Sequence, residues 1–134
     1  MNGSLIKAVI DTNIIFMAFL YPQRKAGKIL EAAADSRIHL HAPESVKEEI
    51  KKLLQKKLKA SDEEIELVIE GLPITWINKE LYQDYLKQTK VKHKADKPIE
   101  ALSIALNCGI LSADSHFKDH PRLLNPDVLL KKIK

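Results

Sequence analysis

Short apolar runs along the chain are separated by longer stretches in which apolar residues recur every three or four positions. The first run, residues 5–10, is rich in β-branched side chains and nearly free of charge, which is typical of a strand buried on both faces. Similar runs predict strands at residues 38–41, 74–77 and 110–113. The helical pattern predicts helices at residues 14–20, 24–34, 43–58, 61–71, 80–88 and 98–109, with a closing helix from 126.

Several of these helices carry recognisable end signals. Ser61 with Glu64 three residues later has the spacing of a capping box, and Asn125 before Pro126 is typical of a helix start. Gly109 is expected to end its helix as the residue after the C-cap. A very short fifth strand near residues 123–124 stays an open alternative.

Strands that alternate with helices predict parallel pairing with right-handed crossovers. We therefore expect a three-layer α/β/α sandwich around a central parallel sheet of four to five short strands. No repeat or flexible linker interrupts the sequence, so residues 1–134 are expected to form a single domain.

Composition narrows the class of protein further. Of the 134 residues, 45% are hydrophobic and 30% are charged, a balance typical of a globular domain. No window has the roughly 20 apolar residues of a membrane span, and the sequence start does not resemble a signal peptide. A lone cysteine, Cys108, suits a reducing compartment, so we expect a cytoplasmic protein. The net charge of +4 mildly favours an anionic partner.

Two aspartates directly follow predicted strands, Asp11 after the first and Asp114 after the fourth. Ligands of parallel sheets bind outside the carboxyl ends of the strands, where both side chains are expected. Asp96, at the start of the helix near Pro98, would lie at the same edge of the sheet. The alternative for each of these aspartates is simple capping of the next helix or turn.

A fourth acid is selected by helical phase. Glu49 lies three residues after Val46 and next to Ile50, so it borders the apolar side of its helix, whereas Glu48 points towards solvent. The alternative is that Glu49 simply pairs with a lysine such as Lys52. Four converging carboxylates would raise one another's pKa, and a hard divalent cation relieves that repulsion. Oxygen donors favour Mg²⁺ or Mn²⁺, and we expect no histidine to stand in metal-ligand geometry.

Three segments together resemble the PIN-domain ribonucleases, from Leu5 to about Leu130: AVIDTNIIF, PESVKEEIKKL and KADKPIEALSIALNCGILSADSHF. The resemblance places the family's catalytic and metal-binding acids on Asp11, Glu49, Asp96 and Asp114. It also places supporting roles on Asn13 and Ser112. Where many members carry a further acid, this chain has His116, and Asp119 is a candidate substitute.

The resemblance implies a five-stranded sheet, a homodimer or higher homo-oligomer, and often the toxin role in a VapBC toxin–antitoxin pair with an antitoxin partner. We therefore expect a Mg²⁺- or Mn²⁺-dependent endoribonuclease that hydrolyses phosphodiester bonds of single-stranded RNA. A basic segment that runs into Asp96 is a candidate RNA-binding edge, or else only a solvated loop; its lysines include Lys90, Lys92 and Lys94. The alternative functions are a PIN-fold scaffold that binds RNA or protein without cleavage and, less favoured, a receiver-like phosphorylation domain.

Overall fold

A computed structural model describes residues 6–133. The four strands are β1 (Ile6–Ile10), β2 (Ile38–Pro43), β3 (Ile74–Ile77) and β4 (Gly109–Leu111). Within residues 6–133 the α-helices are α1 (Thr12–Leu20), α2 (Lys25–Ala34), α3 (Glu44–Leu58), α4 (Asp62–Gly71), α5 (Lys79–Tyr82), α6 (Lys97–Leu106) and α7 (Pro126–Lys132). Three short 3-10 helices complete the list: Gln83–Gln88, Lys94–Asp96 and Ser115–Phe117. Leu5, predicted to begin the first strand, lies outside the described residues.

The sheet is parallel throughout, with strand order β3-β2-β1-β4. The chain leaves β1 towards β2 and β3, then crosses back through α5 and α6 to place β4 on the other side of β1. Helix α1 contacts both α2 and α3, while α6 packs against α5 and the central strands. Since right-handed crossovers in opposite directions cover opposite faces, the result is the predicted three-layer α/β/α sandwich.

The central strands are the most deeply buried part of the molecule. Ala8, Val9 and Ile10 at the end of β1 are fully buried, as are Ile110 and Leu111 of β4. A strand covered on both faces needs apolar side chains on both, which explains the unbroken apolar runs in the sequence. The last buried residues of β1 and β4 immediately precede the polar residues of the candidate site.

The predicted helix starts are confirmed. The Ser61 hydroxyl accepts a hydrogen bond from the Glu64 N–H at 3.2 Å, and the Glu64 carboxylate accepts one from the Ser61 N–H at 2.9 Å. Asn125 caps α7 by accepting a hydrogen bond from the Asp127 N–H at 2.8 Å. No helix within residues 6–133 has the length and apolar character that a bilayer crossing requires.

The prediction that Gly109 ends the long helix was wrong. The helix α6 stops at Leu106, and Asn107 takes the left-handed conformation with φ of 50°. Gly109 instead opens β4, where a Cβ atom would lie 2.3 Å from Cγ of Leu124. This glycine is therefore required by close packing rather than by helix termination.

Two further predictions needed correction. In the predicted helix at 80–88, only residues 80–82 are α-helical, as part of α5, and the remainder is the 3-10 helix Gln83–Gln88. The possible fifth strand is a single parallel bridge between Ile110 and Leu123, so the described residues form a four-stranded sheet rather than the five-stranded sheet that the family resemblance implied. Hydrogen bonds from Ile110 N–H to the Arg122 carbonyl and from Leu124 N–H to the Ile110 carbonyl, both 2.8 Å, hold this bridge.

Candidate active site

Asp11 lies at the carboxyl end of β1 with only 4% of its surface exposed. It caps α1, since its carboxylate accepts a hydrogen bond from the Ile14 N–H at 3.0 Å, and it also accepts one from the Ser112 hydroxyl. Burial raises the pKa of Asp11 to about 6, against the opposing effect of these hydrogen bonds, and the nearby carboxylates of Asp114 and Asp96 raise it further. An ionised Asp11 is therefore costly unless a cation lies beside it.

Ser112 connects Asp11 to the second aspartate at the sheet edge. Its hydroxyl accepts a hydrogen bond from the Asp114 N–H at 3.0 Å while donating to Asp11. Asp114 in turn accepts a hydrogen bond from the His116 N–H at 2.9 Å, and Phe117 is fully buried directly afterwards. The loop after β4 is thus fixed at both ends, which holds the Asp114 carboxylate near that of Asp11.

Asp96 reaches the same place from the start of α6. It is 8% exposed, and its side chain makes no capping hydrogen bond to that helix, so the simple capping interpretation does not account for it. Its Oδ2 atom lies 2.7 Å from Nδ1 of His116, and the same nitrogen lies 3.3 Å from Oδ1 of Asp114. Donor atoms of Asp96, Asp114 and His116 all lie within 4.8 Å of one another.

The sequence-based prediction that no histidine stands in metal-ligand geometry was therefore wrong. His116 is twenty residues from Asp96, and only the fold of the loop after β4 brings the two together. Its imidazole also stacks on His93, with ring centroids 3.5 Å apart and planes 12° from parallel. The stack restricts the orientation of the His116 ring.

Glu49, on α3, interacts electrostatically with Asp96 of this cluster. Partial burial of its carboxyl raises its pKa, and the charge of Asp96 raises it further, while Lys52 has the opposing effect. Glu48, by contrast, is exposed and lies 3.8 Å from Lys51 on the outer side of α3. The electrostatic interaction with Asp96 associates Glu49 with the site, although as a whole residue it keeps much of its surface exposed.

Thr12 is a site residue that the sequence did not single out. It is 7% exposed, and its hydroxyl has no hydrogen-bond partner among residues 6–133. This hydroxyl lies close enough to Glu49 to favour the ionised carboxylate, yet the two groups are not in hydrogen-bond geometry. A buried oxygen without a partner beside a carboxylate is a feature that a bound cation or its water would explain.

The supporting roles expected for two other residues have less structural basis. Asn13 is exposed, and its side chain makes no hydrogen bond within the described part of the chain. Asp119 is also exposed and lies outside the cluster formed by Asp96, Asp114 and His116.

Glu100 is a third buried acid, after Asp11 and Asp96, and the sequence alone did not single it out. Its carboxylate accepts hydrogen bonds from the Lys90 N–H at 2.6 Å, the Val91 N–H at 3.1 Å and Nε2 of His120 at 2.6 Å. Burial alone would raise the pKa of Glu100, but these hydrogen bonds together hold it below its ordinary value. The available signal was a carboxylate on an otherwise apolar helix turn, next to Ile99.

The backbone of the basic segment is therefore fixed to helix α6 by the Glu100 carboxylate. Lys90, Lys92 and Lys94 are exposed, and the first of them is fixed at its backbone by Glu100. A cleft of about 460 Å³ lies between this segment and the loop after β4, lined in part by Lys90, Lys92, His116 and Lys118. Positive side chains thus lie directly beside the acidic cluster.

The donor set fits a divalent cation. Two carboxylates and an imidazole converge within ligand distance, Asp11 and Glu49 supply further charge, and the Thr12 oxygen lacks a partner. Because the carboxylate oxygens predominate, a six-coordinate oxygen-preferring ion suits the site better than tetrahedral zinc.

Comparison with known proteins decides the family. The family model of the PIN domain matches residues 9–120. The chain belongs to the PIN domain family. That match runs from the end of β1 through α6 to the loop after β4, so all four predicted acids of this PIN domain fall within it. A search of curated proteins found no match.

Two solved structures have the same fold as this PIN domain. One is a toxin–antitoxin complex from Klebsiella pneumoniae, with a TM-score of 0.66, 18% identity, and coverage of 89% of this chain and 97% of that chain. The other is VapBC2 from Rickettsia felis bound to a DNA fragment from its promoter, with a TM-score of 0.59, 19% identity, and coverage of 89% and 96%. At these identities the similarity establishes the fold.

Proposed function

We propose that this PIN domain is a divalent-metal-dependent endoribonuclease that hydrolyses phosphodiester bonds of single-stranded RNA. The observation that carries the proposal is the convergence of Asp96 and Asp114 beside the buried Asp11. Members of the family are typically nucleases, and the four candidate acids all lie within the residues that the family model matches. The proposed cofactor is Mg²⁺ or Mn²⁺.

The proposed roles follow from the geometry of each acid. Asp11, Asp96 and Asp114 hold the cation, and Glu49 completes the site from α3, directly or through water. Ser112 orients Asp11 and Asp114 through its two hydrogen bonds. When bound, the cation supplies Lewis-acid activation of water and neutralises charge on the leaving oxygen. Water as the nucleophile predicts products with a 5′-phosphate and a 3′-hydroxyl.

The RNA backbone is proposed to lie in the cleft between the basic segment and the loop after β4. Lys90 and Lys92 line this cleft, and Lys94 is exposed on the same segment. The backbone of the segment is fixed by hydrogen bonds to the Glu100 carboxylate. Contacts of this kind favour phosphate without reading base sequence.

A biological role follows by analogy with the two structural neighbours. Both are toxin–antitoxin complexes, so we propose that this chain is a VapC-like toxin held by an antitoxin protein, acting in the cytoplasm as a homodimer or higher oligomer. The net charge of +4 is consistent with an anionic nucleic acid as substrate.

The test is cleavage of a labelled unstructured RNA by the purified protein, with Mg²⁺, with Mn²⁺ and with EDTA. We expect cleavage with a divalent cation, no cleavage in EDTA, and products that a 5′-phosphate-dependent exonuclease degrades. Asp96→Asn is the inactive control, since it removes one candidate ligand at a buried position. RNA binding without cleavage under every metal condition would instead indicate a non-catalytic scaffold.

A further inference from the structure

His116 is the one member of the acidic cluster that offers nitrogen rather than oxygen. Its Nδ1 atom lies 2.7 Å from Oδ2 of Asp96 and 3.3 Å from Oδ1 of Asp114. Two ligand atoms at right angles on an ion with bonds of about 2.1 Å are separated by about 3 Å. The His116 nitrogen therefore has the spacing of a neighbouring ligand to each carboxylate, and the three donor atoms all lie within 4.8 Å of one another.

We propose that His116 Nδ1 is a metal ligand and that it makes the site select Mn²⁺ over Mg²⁺. The inference rests on the proposed metal-dependent function. Mg²⁺ prefers an all-oxygen shell, whereas Mn²⁺, as a transition-metal ion, binds an imidazole nitrogen more strongly than Mg²⁺ does.

The surroundings of His116 hold its ring for this role. His93 stacks on the imidazole at 3.5 Å, and the His116 N–H of the backbone donates to Asp114 at 2.9 Å, so ring and main chain are both restrained. The His116 side chain is 35% exposed, which leaves the cluster open to an ion from solvent. The partnerless Thr12 hydroxyl near Glu49 is an independent indication that a polar species belongs in this region.

His93 is accordingly a positioning residue. Loss of its ring should loosen His116 without removing a ligand, so His93→Ala should reduce Mn²⁺ affinity less than loss of His116 does. His93→Phe keeps an aromatic surface for stacking and should restore the affinity. A purely structural role would not separate these two variants in a metal titration.

The proposal is tested by calorimetric titration of Mn²⁺ and of Mg²⁺ into metal-free protein. The variants are His116→Ala, which removes the donor, and His116→Asp, which restores an oxygen ligand. His39→Ala is the matched control, because His39 is exposed on β2. Loss of a residue that only orients a metal ligand typically costs roughly 10- to 100-fold in affinity, so we expect His116→Ala to lower Mn²⁺ affinity by at least that factor. We expect His116→Asp to shift the preference towards Mg²⁺.

Pulsed electron paramagnetic resonance of the Mn²⁺-loaded protein gives a direct readout. We expect coupling to a ligand ¹⁴N nucleus in the wild type and in His39→Ala, and none in His116→Ala or His116→Asp. Mn²⁺ binding without nitrogen coupling, and with unchanged metal preference in both His116 variants, would overturn the inference while leaving the proposed function intact. Failure of the wild type to bind either cation would instead overturn the metal-dependent function itself.

Discussion

Asp11 should destabilise the metal-free protein at neutral pH. Its pKa rises from 3.8 in the unfolded chain to about 6 in the folded protein, chiefly because the carboxyl is buried. Because the folded pKa lies above the unfolded value, the Asp11 carboxyl contributes its full stability only below about pH 4, where it is neutral in both states. That contribution to the free energy of unfolding is lost as pH rises through about 6. The difference of about two pKa units corresponds to about 3 kcal/mol at high pH.

Asp11→Asn should therefore raise the free energy of unfolding in EDTA at pH 8 by up to about 3 kcal/mol. The asparagine oxygen can still accept the Ile14 N–H hydrogen bond, so the cap of α1 is retained. For a chain of this size the gain corresponds to a melting temperature higher by roughly 10 °C. Near pH 4 the two proteins should have nearly equal stability, because the wild-type carboxyl is then neutral.

The assay is chemical denaturation of both proteins across pH 4 to 8 in EDTA, repeated at pH 8 with Mn²⁺. The cation should stabilise the wild type by binding only the folded state, and Asp11→Asn should lose most of that response. Asp84→Asn, at an exposed acid, is the control and should change stability little at any pH. A pH-independent stability difference between wild type and Asp11→Asn would refute this account of the buried carboxylate.

Three other predictions concern the rest of the site. Glu49→Gln should lose most cleavage while Glu48→Gln keeps it, since only Glu49 lies near Asp96; steady-state turnover measures both, and the reverse result would exclude Glu49 from catalysis. Glu100→Gln should destabilise the protein by about 1–3 kcal/mol above pH 6. Because the folded pKa of Glu100 lies below its ordinary value, the difference should shrink in acid as the wild-type carboxyl is protonated, and equal denaturation curves would contradict this. Lys90, Lys92 and Lys94 should be replaced together by alanine. The slope of log affinity against log salt concentration should then fall by about two units, at roughly 0.7 per lost phosphate contact. An unchanged slope would place the RNA elsewhere.

The strands and the positions of the strand-end acids could be predicted because they depend on local sequence. A strand buried on both faces must be a short apolar run, and the first polar residue after it necessarily lies at the sheet edge. Asp11 is that residue after β1. The strand β4 ends at Leu111 rather than at residue 113, so Ser112 is the first polar residue after it and Asp114 follows in the same loop. Helical phase was enough to separate Glu49 from Glu48, because one turn of helix determines which side of α3 each occupies.

The parts that could not be predicted depend on contacts between distant residues. The Asp96–His116 contact and the Glu100–His120 contact each join residues twenty positions apart, through the fold of the loop after β4. Both Asn107 and Gly109 are suitable helix-ending residues, and only the packing of Leu124 against Gly109 decides between them. No local pattern contains that information.

The most direct test of the central claim is to measure cleavage and RNA affinity separately in Asp114→Asn. Removing a metal ligand should lower turnover by orders of magnitude, while removing a negative charge beside the cleft should leave RNA affinity similar or slightly higher. Single-turnover cleavage with Mn²⁺ and fluorescence anisotropy with the same RNA provide the two values. Wild-type cleavage by Asp114→Asn would contradict the proposal that these acids form a catalytic metal site.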